Sequence, residues 1–415
     1  MANRTVLISG AGIGGPALAF WLRRYGFAPT VVEVAPAPRP GGHAVDLRGA
    51  GREVVERMGL LDTVRAERVD ERGFAYVDGR GRWTARMPAD LFGGEGMVAE
   101  IEIMRGNLTR ILYDATRDGT EYLFGDQTTR LADDGDGVKV TFASGTVRRF
   151  DIVVGADGLH SGVRRLAFGP EQEFVRHLGG YMAYFTVPDP GNLDHWFLMH
   201  GAPGGLVAGI RPENGGTAKA MLSFTSPPLD YDRRDVFAQQ EILRAKFAGA
   251  GWLVPQILAA MPGAGDFYFD SLSQVHMGQW HRGRVVLLGD AGYCGSPLAG
   301  LGTAMALVAA YVLAGELSAT PDDHEAAFTR YQEEVRECVK QCQTLPPGGV
   351  KGFAPNSALM IRMRNLSMTM MTRWPMRMLT ARQFQKADAI TLKDYLLDPT
   401  TWSYSISIRC TMRLG

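Results

Sequence analysis

Two apolar segments, far apart in the chain, each end in a glycine-rich loop followed by a helical pattern, and few folds accommodate both. The first runs Val6-Leu-Ile-Ser-Gly10-Ala-Gly12-Ile-Gly-Gly15. Its G-x-G-x-x-G spacing lets the chain turn tightly and brings backbone N–H groups and a helix N-terminus close to a pyrophosphate. Thr5 to Ser9, Gly14 to Tyr25 and Thr30 to Val34 read as strand, helix and strand, one βαβ unit. Glu33 ends the second strand, roughly 20 residues beyond the loop, where an acid accepts hydrogen bonds from an adenosine ribose. The second segment, Gly283 to Gly302, passes from a buried strand through Asp290 and Pro297 to Gly300 and Gly302, which open a helix. Asp290 is placed to bind a polyol or second ribose, and the Gly300 and Gly302 amides would face the pyrimidine edge of a flavin. Two such loops imply one ligand with two ends.

Composition narrows the partners. The 415 residues carry 44 basic and 44 acidic side chains, with 46% hydrophobic and 21% charged residues. That balance gives no electrostatic case for nucleic acid or an anionic membrane, and a small, locally recognised ligand fits better. Cys294, Cys338, Cys342 and Cys410 are too few and too clustered for a disulfide framework. Together with an opening strand in place of a signal peptide, they point to a reducing cytoplasm. Cys338 and Cys342 have helical spacing but no neighbouring histidine to complete a metal site, so helix packing is the favoured reading and no metal is expected. The apolar run from Ala304 to Leu317 is shorter than the ~20 residues that span a bilayer and reads as a buried core helix.

The periodicity predicts an α/β chain: a Rossmann-like cofactor-binding domain with an inserted β-sheet domain and C-terminal helices. Residues 1–75, 95–178 and 270–345 form the discontinuous first domain, 76–94 and 179–269 the sheet domain, and 346–415 a terminal helical segment rich in methionine and arginine. Tyr181 to Val187, His195 to His200, Gly205 to Ile210 and Ala218 to Phe224 alternate as strands between Gly/Pro turns. Helical signals return from Val236 to Ala260. The terminal segment reads as helices draped on the domain, with a membrane-surface or dimer-forming helix less favoured; a monomer and a homodimer both remain open.

Four motifs in order carry a resemblance to a known family. They are the Gly10–Gly15 loop with Glu33; Glu102-Ile-Met-Arg105-Gly-Asn-Leu108; Asp151-Ile-Val-Val-Gly-Ala-Asp157-Gly158 with Ser161 and Arg164; and Gly289-Asp290 with Pro297, Gly300 and Gly302. Over residues 4 to about 335 the chain resembles the single-component FAD-dependent aromatic hydroxylases of the p-hydroxybenzoate hydroxylase fold, including the tetracycline-inactivating flavin monooxygenases. The resemblance implies that Arg105 lies along the FAD pyrophosphate and ribityl region and that Asp290 binds the ribityl chain. It also implies that Asp157-Gly158 lies near the pyrophosphate, with Asp157 acting largely through the loop it shapes. Gly42-His-Ala-Val-Asp46-Leu is similar to a segment of the tetracycline-inactivating branch, which would place Asp46 near the flavin and assign Arg39 to NADPH. Thr303-Ala304, Ala309-Ala310 and Tyr293 depart from residues common in the family, and the Trp-x-Trp-x-Ile-Pro signature of flavin halogenases is absent.

By the same resemblance, NADPH or NADH reduces FAD, O2 adds at the flavin C4a position, and the hydroperoxide passes its distal oxygen to an electron-rich carbon. No side-chain nucleophile is needed. Alternatives are a flavin dehydrogenase or reductase without oxygen transfer, or a flavin-binding protein without turnover. The inserted sheet is expected to carry the substrate pocket, with Tyr184, Phe185, His200, Arg211 and Phe224 as candidates. Its Gly, Ala, Leu and Met content favours a large, mostly apolar polycyclic or polyketide-like substrate over a small benzoate, and the resemblance implies an aromatic or enolic one.

Overall fold

The computed structural model describes residues 4–39, 41–92, 101–213, 215–372 and 390–395. At its centre lies a parallel sheet. Thr5–Ser9 pairs with Ala28–Glu33 on one side and Ile152–Gly155 on the other; Glu121–Phe124 extends the first side and Val285–Leu287 the second. Only the edge strand His281–Arg282 runs antiparallel. Helices cover a sheet of this kind on both faces, so its strands read as nearly unbroken apolar runs. Val6, Leu7, Ile8, Val153, Val154 and Val286 are accordingly buried.

Helix Gly14–Arg24 follows the first strand and ends on Arg23 and Arg24, whose charges suit a helix C-terminus. It packs against helix Gly302–Ala319, which is buried on nearly every side by helices Gly49–Arg57 and His324–Cys342 as well. This helix has the length and mean hydropathy, 1.4, of a membrane span, yet 67% of it is enclosed by the rest of the molecule. It is the core helix that its composition suggested. Cys342 is buried in the same core, with Cys338 packed against it.

A seven-stranded sheet forms the second layer. Its order is Tyr268–Val275, Val175–Pro188, Thr217–Thr225, Leu206–Pro212, Trp196–Ala202, Gly73–Val77 and Trp83–Pro88. All pairs are antiparallel except Trp196–Ala202 with Gly73–Val77. The strand at Gly73 starts three residues before the sheet portion expected from sequence, and Val175 and Val275 likewise extend it on both sides of 179–269. The alternation of side chains divides this sheet cleanly. Tyr181, Ala183, Phe185, Ala220, Leu222 and Phe224 face helices Val236–Phe247 and Val254–Ala260. Met182, Tyr184, Met199, Val207 and Met221 belong to the opposite face.

Two smaller pieces complete the frame: a three-stranded antiparallel sheet of Thr128–Asp133, Val138–Phe142 and Val147–Phe150, and a ladder joining Ala44–Leu47 to Ile101–Met104. In the terminal segment, helices Gly349–Phe353 and Ala358–Met371 lie against the seven-stranded sheet. Residues 373–389 and 396–415, which include Cys410, lie outside the described residues.

Candidate flavin site

The Gly10–Gly15 loop is built for close backbone approach. Gly10 has φ +108°, and a Cβ there would lie 2.4 Å from the Ala156 carbonyl oxygen. At Gly15 a Cβ would fall 1.9 Å from the Gly10 carbonyl oxygen, and at Gly14 it would fall 2.5 Å from Leu288. Only glycine permits this packing of turn, helix and neighbouring strands. The helix that follows has Ile13 at its N-cap, with no side chain satisfying its first N–H groups. The helix opening at Gly302 is uncapped in the same way, behind Leu301. Orphan N–H groups at a helix start are ready donors for an anion.

Both N-termini open on one cavity of about 330 Å3, within the size range of small-molecule sites. Gly12, Gly14, Asp46, Arg105, Ala156, Gly158, Asp290, Pro297, Gly300 and Gly302 line it together. Four sequence motifs therefore meet in one place. The Arg105 guanidinium crosses the loop, with Nη2 3.4 Å from where a Gly12 Cβ would be. Its backbone N–H donates to the His43 carbonyl at 3.0 Å, which ties the 40s segment to the same wall. Burial raises the Asp290 carboxyl above its usual pKa, while Cys294 and Arg105 oppose the rise. Asp290 Oδ1 is 3.8 Å from where a Gly302 Cβ would stand. The preceding Ser296 is a non-glycine residue at φ 81°, ψ 147°, a backbone region almost reserved for glycine.

The remaining predicted cofactor residues sit behind this surface. Asp157 does not line the cavity: its carboxylate accepts from the Ser161 hydroxyl and from the Val163 N–H at 3.1 Å. It thereby holds the start of helix Gly162–Ala167 and shapes the Ala156–Gly158 turn that does line it. Arg164, fully buried, donates to the Leu159 carbonyl at 2.6 Å and the Ala291 carbonyl at 2.8 Å, joining that turn to the Asp290 segment. Glu33 accepts from the Ala11 N–H at 2.9 Å and the Ala35 N–H at 3.0 Å, so its carboxylate is fixed beside the glycine loop. Arg39 is paired with Glu33 at 3.1 Å, largely exposed, and does not reach the cavity.

On the seven-stranded sheet, Tyr184 and Arg211 line the cavity and His200 and Phe224 do not. Phe185 does not line it either. His200 Nδ1 lies 3.1 Å from the Val77 carbonyl, and Phe224 and Phe185 are in the core under the helices. Strand parity separates these three side chains from Tyr184 and Arg211. Residues not singled out as site candidates also contribute. His43 stacks on Tyr184 with ring centroids 4.6 Å apart, and burial, reinforced by Arg105 and Arg211, lowers its pKa to about 3. The imidazole is neutral at physiological pH. Glu102 lines the cavity beside Arg211, with Glu71 behind. Glu102 lies within the Arg105 motif and was legible there; Glu71 carries no such signal.

The glycine cradle and the two uncapped helix starts that open on one cavity fit a dinucleotide held at both ends. The protein family described as FAD binding domain matches residues 3–344. An uncharacterized protein of Mycobacterium tuberculosis strain H37Rv is 45% identical over 356 residues, covering 85% of this chain and 95% of that one. A flavin-dependent monooxygenase of Legionella longbeachae is 39% identical over 81% of this chain and 86% of its own. The crystal structure of tetracycline destructase Tet(55), 36% identical, superposes with a TM-score of 0.79 over 95% of this chain and 99% of that one. The chain belongs to the FAD-binding-domain family and is an FAD-dependent monooxygenase of the p-hydroxybenzoate hydroxylase fold.

Proposed function

We propose that the protein uses NAD(P)H and O2 to hydroxylate an aromatic or enolic small molecule, polycyclic or polyketide-like in character. The observation that carries this reading is the continuity of the cavity. It is lined both by the glycine-rich turns and by Tyr184 and Arg211 of the large sheet, with His43 and Glu102. FAD, when bound, supplies the electron transfer from NAD(P)H and the activation of O2 that this chemistry needs.

The chain's own residues do the rest. The amides at the start of helix Gly14–Arg24 and Arg105 would hold the pyrophosphate, and Asp290 would accept from the ribityl hydroxyls. The amides at Gly300 and Gly302 would favour negative charge on a ring edge brought beside them. Neutral His43 and Tyr184 present a flat face for an aromatic ring, and Met182, Met199 and Met221 lie on the same face of the sheet. The reading is supported by the names of two relatives, a flavin-dependent monooxygenase and a tetracycline destructase. The test is NAD(P)H consumption under 18O2 with phenolic, anthracycline-like and tetracycline-like compounds, products being read by mass spectrometry. Incorporation of one 18O atom per NAD(P)H supports it. Reductant consumption with every compound unchanged, or conversion without 18O, would refute oxygen transfer to this class.

A further inference from the structure

Where the cavity meets Arg211, carboxyl groups crowd together with fewer hydrogen-bond donors than their oxygens can use. Asp46 and Glu102 face each other across the Ala44–Leu47 and Ile101–Met104 ladder, and both line the cavity. Each is the other's direct cross-strand partner, so both side chains project from the same face of that ladder, and the nearby Asp46 carboxyl raises the proton affinity of Glu102. Glu71 approaches from behind, with Oε2 2.9 Å from Arg211 Nε, and Glu102 Oε2 lies 3.3 Å from Arg211 Nη1. These approaches are close but off the N–H axes: both Glu71 oxygens and Glu102 Oε2 are buried without a hydrogen-bond donor.

Arg211 cannot swing to satisfy them all, because its guanidinium is stacked 4.5 Å from the Phe197 ring centre. Arg48 is engaged with Asp46. Glu71 and Glu102 thus converge on one arginine while almost closed to solvent, their side chains being only 2% and 5% exposed. Buried carboxyl oxygens without a donor favour holding a proton.

We propose that Glu102, facing Asp46 across the ladder and backed by Glu71 and Arg211, is the proton acceptor for a ring hydroxyl of the substrate, which is held as its phenolate or enolate. This rests on the hydroxyaromatic or enolic reading of the substrate given above. The substrate O–H bond breaks, its electron pair stays on the substrate oxygen, and the proton forms an O–H bond on a carboxylate oxygen of Glu102. Arg211 offsets the new oxyanion, and no charge leaves the site. The product is the electron-rich form of the ring that hydroxylation requires. Burial favours such uptake, since it raises Glu71 to about 7 and Glu102 well above its ordinary value against the opposing pull of Arg211. Of the other polar groups facing the site, Arg105 is a fixed cation and His43 is held neutral.

The probe is 7-hydroxycoumarin added to the FAD-loaded protein, buffered about one pH unit below the dye's own pKa. The bound dye's absorption reports whether it is the anion, and calorimetry in two buffers of different ionisation enthalpy counts protons exchanged with solvent. Wild type is expected to bind the anion with no proton released, because the protein keeps it. Glu102→Gln should bind either the neutral dye or the anion with one proton released per dye. Asp46→Asn should behave likewise if Glu102→Gln does not retain FAD, and Glu102→Asp should restore the wild-type pattern. Neutral dye in wild type, one proton released by wild type, or an unchanged Glu102→Gln each overturns the assignment while leaving the substrate class standing. Failure of wild type to bind the dye at all counts against the hydroxyaromatic class itself, and the proposal falls with it.

Discussion

Replacing Gly15 by alanine tests whether backbone proximity in the first loop sets cofactor affinity. A Cβ at this position would sit 1.9 Å from the Gly10 carbonyl oxygen, where real contacts stay above 3.0 Å, so the turn must open by about 1.1 Å. Gly10 has little room to yield. Its N–H is bonded to the Val32 carbonyl at 2.7 Å, and the space beside its Cα is taken by Ala156, whose carbonyl oxygen would lie 2.4 Å from a Cβ built there. Overpacking of this kind costs about 1–3 kcal/mol of stability. The larger effect falls on binding, since opening the turn draws at least one N–H away from the pyrophosphate. A hydrogen bond to a charged group is worth about 1.5–3 kcal/mol, or about 10- to 150-fold in Kd. The assay is titration of apoprotein with FAD by flavin fluorescence, alongside a thermal melt of the apoprotein. Gly263→Ala, where an added Cβ meets nothing within 4 Å, should change neither. An FAD affinity for Gly15→Ala within about threefold of wild type would refute the reasoning, whatever the melt shows.

Three further outcomes follow from the same geometry. Arg164→Met leaves the Leu159 and Ala291 carbonyls without their buried donor and should destabilise the protein by about 2–5 kcal/mol, read by urea unfolding of the FAD-loaded form. His160 lies between Asp270 and Glu171; despite the cost of burial, these carboxylates raise its pKa to about 9. Because the folded value lies above the ordinary 6.5, its stabilisation is complete below pH 6.5 and is lost as pH rises through about 9. Melts from pH 6 to 10 should fall more steeply for wild type than for His160→Asn, by at most about 3 kcal/mol, and parallel curves would contradict the assignment. Ser296→Gly relieves a conformation that costs about 1–3 kcal/mol in a non-glycine residue, less about 0.5–1 kcal/mol for glycine's added freedom in the unfolded chain. It should melt higher than wild type, and a lower melting temperature would show that the serine is held there without strain.

The glycine-lined half of the cavity was legible because backbone packing there leaves its mark on residue type. Gly10 and Gly15 had to be glycine for steric reasons local to one turn, and Asp290, Gly300 and Gly302 follow one strand within a few residues. Asp157 shows the limit of that logic. Its motif position suggests a loop-shaping residue, and the contacts with Ser161 and Val163 occupy the carboxylate within the chain, which the motif alone does not reveal. Arg39 shows it more sharply: an arginine near the glycine loop is bound to Glu33 instead of turning toward the cavity.

The substrate half was harder to read because side-chain direction decides it, and direction in a sheet depends on which face is covered. Tyr184, His200, Arg211 and Phe224 all lie on strands recognised in advance, and all are polar or aromatic enough to line a pocket. Register separates them. Tyr184 is paired with Met221 and Arg211 with Lys219, whereas Phe224 is paired with Tyr181 and Leu206 and His200 with Ala208. Those pairs put Tyr184 and Arg211 on one face and His200 and Phe224 on the other. Helices Val236–Phe247 and Val254–Ala260 then claim the second face for their core. The first face is left to meet the cofactor layer, where Gly41 comes against Asp266 and Tyr184 against His43. A substitution that moved polar character from residue 200 to 199 would therefore alter the cavity side of this sheet, while one at 200 itself would disturb only its helix-packed core.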